Sequence, residues 1–157
     1  MDCARQVEDM GYTLLMVPDH LHATLSPLAL LTAAAGATKT LRLGTLVLNN
    51  DFRHPAVLAR EAATVDLLSD GRLELGLGAG HAFPEYERAG LRFDAAAIRI
   101  QRLGEAVRVV RRLLDGEAVE FDGKHYQLHG DSCFPKPMQA HVPLLLGGGS
   151  SGAPPGG

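Results

Sequence analysis

The segment Gly11-Tyr-Thr-Leu-Leu-Met-Val-Pro-Asp-His-Leu21 places a short apolar run directly before an aspartate and a histidine. The run 12–17 is bounded by a glycine and a proline, which is typical of a buried strand. Asp19 and His20 therefore follow the end of a predicted strand. Because parallel α/β folds bind ligands at the carboxyl ends of their strands, this pair is the first candidate for a reactive site.

Further apolar runs predict further strands, and the segments between them predict helices. The predicted strands cover 12–17, 41–48, 73–77 and 142–146. The predicted helices cover 4–10, 28–37, 54–69 and 93–115, with Ser26 and His54 as N-terminal caps before prolines. A hairpin with a two-residue turn at Asp122-Gly123 is predicted before the last strand.

Apolar strands that alternate with helices predict a parallel sheet covered by helices. A (β/α)8 barrel needs about 250 residues, whereas this chain has 157, so it is expected to form about half of a TIM barrel. The barrel domain is predicted over residues 1–149, and the Gly-, Ser- and Pro-rich segment 150–157 is predicted to be a disordered tail. Both ends suggest a fragment of a longer protein.

Composition excludes several classes of function. A net charge of -3 and an isoelectric point near 6.1 supply no basic field for nucleic acid or an anionic membrane. No apolar run approaches the roughly 20 residues of a membrane span, and no secretory signal is visible at the N-terminus. Cys3 and Cys133 are too few and too far apart to indicate a disulfide framework. A reduced, cytoplasmic setting is expected.

His20 has two interpretations at the end of its strand. It could be a proton donor near neutral pH, with Asp19 orienting it or binding a ligand. It could instead be a partly buried imidazole with a structural role, next to an aspartate that caps a helix. Together with His22, His54 and His81 it could also supply ligands to zinc or iron. No carboxylate accompanies His54 at a matching strand end, however, and no metal is expected.

Two glycine-rich segments follow predicted strands. Gly76, Gly78 and Gly80 form G-x-G-x-G, but His81 stands where the nucleotide-binding fingerprint continues, so that fingerprint is not met. The glycines allow a ligand or a neighbouring backbone to approach closely. Glycines 147–149 could cradle a phosphate or a ring with their N–H groups, or could begin the tail.

Charged residues elsewhere are predicted to lie in solvent. Glu85 and Glu87 fall in a segment that is predicted to be a charged loop. The polar side of the longest predicted helix is expected to be a solvated face, and its arginines are those at 99, 102, 108, 111 and 112.

Taken in order, these segments resemble the luciferase-like monooxygenase family. The matching stretches are 11–21, 26–31, 41–48, 54–61, 66–80 and 142–149. The likeness is to the branch that uses the deazaflavin coenzyme F420, whereas other branches use FMN with molecular oxygen. It implies a (β/α)8 barrel with the flavin-type ring at the strand carboxyl ends, and a parent enzyme that acts as a homodimer on a small-molecule substrate.

The resemblance also implies roles for individual residues. His20 falls where F420-dependent members have an active-site histidine, and Leu46-Val47 falls where the family has a non-prolyl cis peptide bond behind the ring. His81 stands where sugar-phosphate-oxidising members have an acidic residue, so that substrate is not implied. The implied cofactor contacts are Asp19, Leu46, Val47, Asn49, Ala79, Gly80, Gly148 and Gly149.

The expected function is therefore hydride transfer with F420, in which His20 moves a proton. An FMN-dependent monooxygenase and a non-catalytic truncated chain are the alternatives.

Overall fold

The computed structural model describes residues 2–22 and 24–148, and its regular elements alternate along the chain. The helices are α1 (Asp2–Asp9), α2 (Pro27–Ala37), α3 (Pro55–Leu68), α4 (Phe83–Ala89) and α5 (Ala96–Leu114), with a 3-10 turn at Asn50–Phe52. The strands are β1 (Leu14–Val17), β2 (Arg42–Thr45), β3 (Leu48–Asn49), β4 (Leu73–Gly78), β5 (Val119–Asp122), β6 (Gln127–Asp131) and β7 (Leu144–Gly147). No helix among the described residues is long and apolar enough to cross a membrane.

The main sheet is parallel and its strands follow chain order. β1 pairs with β2, β2 with β4, and β4 with β7. β3 also pairs with β4, beyond the part that pairs with β2. Neighbouring strands that follow one another in sequence are typical of a (β/α)8 barrel, and the predicted partial barrel is confirmed.

The core lies between this sheet and the helices that cover it. Leu73, Leu75 and Leu77 of β4 are completely buried, as expected for a central strand of a parallel sheet. α3 contributes alanines to the same core, and Ala59 and Ala62 are also completely buried. Their small side chains let the helix lie close to the strands.

The predicted strand 41–48 is interrupted in the structure. β2 ends at Thr45 and β3 begins at Leu48, and the peptide bond between Leu46 and Val47 is cis, as the resemblance implies. Leu43 lies opposite Leu73, and Leu48 lies opposite Leu77, so β2 and β3 both pair with β4.

The segment that was predicted to be a charged loop contains the helix α4. Pro84 lies in its first turn, and Gly90, with a φ of 68°, ends it. Glu87 is exposed, but Glu85 is buried, so the prediction is wrong for Glu85. The predicted 150–157 tail and Gly149 lie outside the described residues.

The hairpin is present, but its predicted two-residue turn is wrong. Asp122 pairs with Gln127, which leaves 123–126 as the loop. The carboxylate of Glu105 in α5 accepts the backbone N–H groups of Lys124, His125 and Tyr126 at 2.8 to 3.1 Å. This buried carboxylate organises the longer loop.

Glu8 ties α1 to the turn before β2, and this contact predicts a dependence of stability on pH. Its carboxylate accepts backbone N–H bonds from Thr40, Leu41 and Lys39 at 2.6, 2.8 and 2.9 Å. The bond from Thr40 is the largest cause that lowers the pKa of Glu8 from 4.5 to about 2. The lowered pKa stabilises the folded chain above pH 4.5, and this contribution is lost as the pH falls from 4.5 toward about 2.

Replacing Glu8 with glutamine is therefore expected to lower the free energy of unfolding at pH 7 and to flatten its decline between pH 4.5 and 2. Urea unfolding of both proteins at a series of pH values measures this. Glu8→Gln with an unchanged acid slope would contradict the assignment.

Candidate active site

An open cleft lies at the carboxyl ends of the parallel strands. It consists of a cavity of about 140 Å³ and an adjoining one of about 740 Å³. The two share a wall of Leu46, Val47, Gly78, Gly80 and His81. The predicted site residues that line one or both cavities are Asp19, His20, Leu46, Val47, Asn49, Ala79, Gly80 and Gly148. The structure thus brings together the predicted site residues that it describes.

His20 pairs with a carboxylate, and this carboxylate belongs to Glu85 and not to Asp19. Its Nδ1 lies 2.6 Å from Oε1 of Glu85, whose side chain is only 8% exposed. The ring of His81 lies edge-on to the ring of His20, with 5.9 Å between the centroids. Asp19 therefore does not orient the imidazole, and its other predicted role, binding a ligand, stays a prediction.

Asp19 instead connects the ends of two strands. Its Oδ2 accepts from the backbone N–H of Asn49 at 3.0 Å and from Nη1 of Arg53 at 2.6 Å, and its Oδ1 accepts from Nη2 of Arg53 at 3.2 Å. A bidentate ion pair between arginine and a buried carboxylate is directional as well as strong. Asp19 thereby fixes Asn49 in the cleft wall.

Val47 forms the floor of the cleft above glycines of two strands. A Cβ atom would lie 2.7 Å from Cγ2 of Val47 if built on Gly78, and 2.6 Å from it if built on Gly147. Real Cβ atoms do not approach other atoms this closely. The group that approaches Gly78 and Gly147 is the Val47 side chain, whereas the sequence predicted a ligand or a neighbouring backbone.

Tyr86 contacts Asn49, one of the residues that line the cleft. It is completely buried, and its hydroxyl lies 3.0 Å from Oδ1 of Asn49 and 3.0 Å from Oδ2 of Asp51. Burial raises the pKa of Tyr86 to about 12, so the hydroxyl keeps its proton and acts as a donor at neutral pH. A Cβ on Gly80, which has a φ of 76°, would overlap this hydroxyl.

Two arginines that were predicted to be solvated are structural. Arg99 is buried, stacks 3.9 Å from the ring centre of Phe93, and donates to the carbonyls of Ala79 and Gly80 at 3.2 and 3.3 Å. Arg102 pairs with Asp51 at 2.7 Å and also with Asp94. Arg108 is exposed, as predicted. The carbonyl groups of Ala79 and Gly80, beyond the end of β4, need hydrogen-bond donors. The helical periodicity of the sequence does not reveal this need.

Other candidate ligands are dispersed. Nδ1 of His54 accepts the N–H of Ala56 at 3.2 Å, which confirms its role as the cap of α3. His22 is exposed. In the described part of the chain, no group of three or more His, Cys, Asp or Glu side chains is arranged to hold a metal ion.

The parallel strands and the cleft at their carboxyl ends are those of a (β/α)8-barrel protein. Residues 1–153 match the family described as luciferase-like monooxygenase, and the chain belongs to that family.

Several relatives share this half of the barrel. The F420-dependent glucose-6-phosphate dehydrogenases of Kineococcus radiotolerans and Mycolicibacterium smegmatis are 36% and 37% identical over 96% and 95% of this chain. The chain spans 47% of the length of each. An F420-dependent secondary alcohol dehydrogenase, solved with an F420–acetone adduct, is 29% identical with a TM-score of 0.84. That match covers 94% of this chain and 47% of the dehydrogenase.

Proposed function

We propose that this chain supplies the cofactor wall and the proton-transfer group of an F420-dependent oxidoreductase. The observation that carries the proposal is the position of His20 in a cleft with a glycine-supported floor at the strand ends. The names of the relatives support F420 as the cofactor. Because the chain spans about half of those relatives, the proposal concerns the enzyme that contains this chain.

The cleft fits a planar ring system. Leu46 is 59% exposed and, with Val47, offers an apolar surface, while Gly78 and Gly80 add no side chain to it. Apolar walls with a few convergent polar groups are typical of cofactor sites. The residues proposed to contact the cofactor are Asp19, Leu46, Val47, Asn49, Ala79, Gly80 and Gly148, with Gly149 beyond the described residues.

His20 is the proposed acid–base residue. The bound deazaflavin would accept or donate a hydride. When an alcohol is oxidised, its carbon loses a hydride with two electrons, and its hydroxyl proton passes to His20. In the reverse direction His20 returns that proton to the oxygen of the carbonyl. The names of the relatives, which include a glucose-6-phosphate dehydrogenase and a secondary alcohol dehydrogenase, support a small molecule with an alcohol or carbonyl group as the substrate.

The cellular location and the oligomeric state of the enzyme are further parts of the proposal. A cytoplasmic location is supported by Cys3 and Cys133, which are both free thiols. A homodimeric parent enzyme rests on the resemblance to the family alone.

Titration of F420 and FMN against the enzyme that contains this chain tests the cofactor. We expect F420 to bind at least about tenfold more tightly, which corresponds to about 1.4 kcal/mol. Fluorescence of each cofactor measures the binding. Tighter binding of FMN, with oxygen consumed, would support the monooxygenase instead, and binding of neither would leave the non-catalytic alternative.

A further inference from the structure

Glu85 is a buried carboxylate that faces the candidate acid–base residue. We infer that Glu85 is a positioning residue, which holds a proton on Nδ1 of His20 and leaves Nε2 as the nitrogen that exchanges a proton with the substrate. The inference deepens the proposed function and rests on it for the role of His20.

The contact between these two side chains is short and sheltered. Nδ1 of His20 and Oε1 of Glu85 are 2.6 Å apart, and the exposed fractions of the two side chains are 34% and 8%. An ionised carboxylate accepts hydrogen bonds and cannot donate them, so the proton in this contact belongs to Nδ1. The two ring nitrogens point away from each other, and Nε2 therefore points away from Glu85.

Asp19 and His81 also lie close to His20, but neither makes the hydrogen bond to its imidazole that Glu85 makes. Both oxygens of Asp19 are engaged by Arg53, and one of them also accepts the N–H of Asn49. His81 meets the imidazole edge-on, at 5.9 Å between the ring centres. Within residues 2–22 and 24–148, the imidazole makes its hydrogen bond with Glu85.

Glu85 is itself held in place by the next residue in the chain. Tyr86 is completely buried, and its hydroxyl lies 3.0 Å from an oxygen of Asn49, which lines the cleft, and 3.0 Å from an oxygen of Asp51. Thr24 fixes the backbone of His20, since its Oγ1 donates to the carbonyl of His20 at 3.0 Å. Hydrogen bonds thus hold the backbone of His20 and the residue that follows Glu85.

The consequence is a choice between the two neutral forms of His20. With Glu85 present, neutral His20 carries its proton on Nδ1, and Nε2 has a free lone pair that can accept a proton. Without the carboxylate, the form protonated at Nε2 becomes populated, and this form cannot accept a proton there. Carboxylates orient catalytic histidines by the same logic in acyl-transfer enzymes.

The test uses Glu85→Gln, with Glu87→Gln as the matched control on the exposed side of the same helix. Nitrogen-15 NMR of the histidine rings in the protein without ligand reports which ring nitrogen carries the proton, and His20→Ala assigns the signals. We expect the Nδ1–H form of His20 in the unmodified protein and in Glu87→Gln. Glu85→Gln is expected to show a mixture that includes the Nε2–H form.

Kinetics of the same variants complete the test. Glu85→Gln is expected to lower kcat at least about tenfold with little change in the Kd of F420. Glu85→Asp, which keeps a carboxylate, is expected to retain more activity than Glu85→Gln, and it serves in its place if Glu85→Gln does not fold.

An Nε2–H form in the unmodified protein, or an unchanged kcat in Glu85→Gln, would overturn the inference. Absence of F420 binding to the unmodified protein would instead reject the proposed function, and the NMR result does not depend on that binding.

Discussion

Replacement of His20 with alanine is expected to lower the turnover of the enzyme that contains this chain by about 10²- to 10⁴-fold, the usual contribution of a positioned acid or base. The affinity for F420 should change little, because the floor and walls of the cleft come from other residues, such as Val47 and Asn49. Steady-state rates followed by F420 absorbance give the turnover, and fluorescence titration gives the Kd.

The matched control is His22→Ala. His22 is exposed and lies only two residues away in the sequence. It should keep the turnover of the unmodified enzyme. His20→Ala with undiminished turnover would remove the acid–base role that we assign to His20.

Replacement of Gly76 with alanine is expected to lower the free energy of unfolding by about 3 kcal/mol. A Cβ at this position would overlap the backbone carbonyl oxygen of Thr45 on the neighbouring strand. That strand cannot move aside easily. Oγ1 of Thr45 accepts the N–H of Gly76 at 2.8 Å and donates to its carbonyl at 2.9 Å.

Gly104→Ala is the opposite case and serves as the control. Gly104 lies in α5, and a Cβ there would meet no atom within 4 Å. Alanine is favoured over glycine inside a helix by up to about 1 kcal/mol, so this variant should be more stable than the original chain. Urea unfolding compares the two. A Gly76→Ala protein as stable as Gly104→Ala would show that the strands separate freely at Thr45.

The sequence predicted the order of the main strands and of α2 and α3 because those strands lie in mainly apolar runs and a proline stands in the first turn of each of these helices. The cap at His54 is an example, since a histidine before a proline predicted both the start of α3 and the local role of the imidazole. The position of Asp19 and His20 at a strand end followed from the same pattern. The cis bond at Leu46-Val47 came from the resemblance to the family, because residue periodicity contains no information about it.

The partners of the site residues could not be predicted in this way. Glu85, Arg53 and Arg99 are charged, and a pattern of apolar periodicity assigns charged residues to solvent. Their burial depends on groups distant in sequence, such as the imidazole of His20 and the carbonyl of Gly80. One local signal was available, since a proline at 84 and a glycine at 90 have the positions that begin and end a short helix.

The packing of Val47 over glycines has a consequence for how such enzymes diversify. Because Gly78 and Gly147 have no side chains, Val47 packs directly on these strands, and the size of its side chain contributes to the depth of the cleft. A smaller residue at 47 would deepen the cleft without any change in the strands, whereas a larger side chain on either strand would meet Val47. Evolution or design can thus adjust the shape of the cleft at one position that is separate from the residues proposed to move protons.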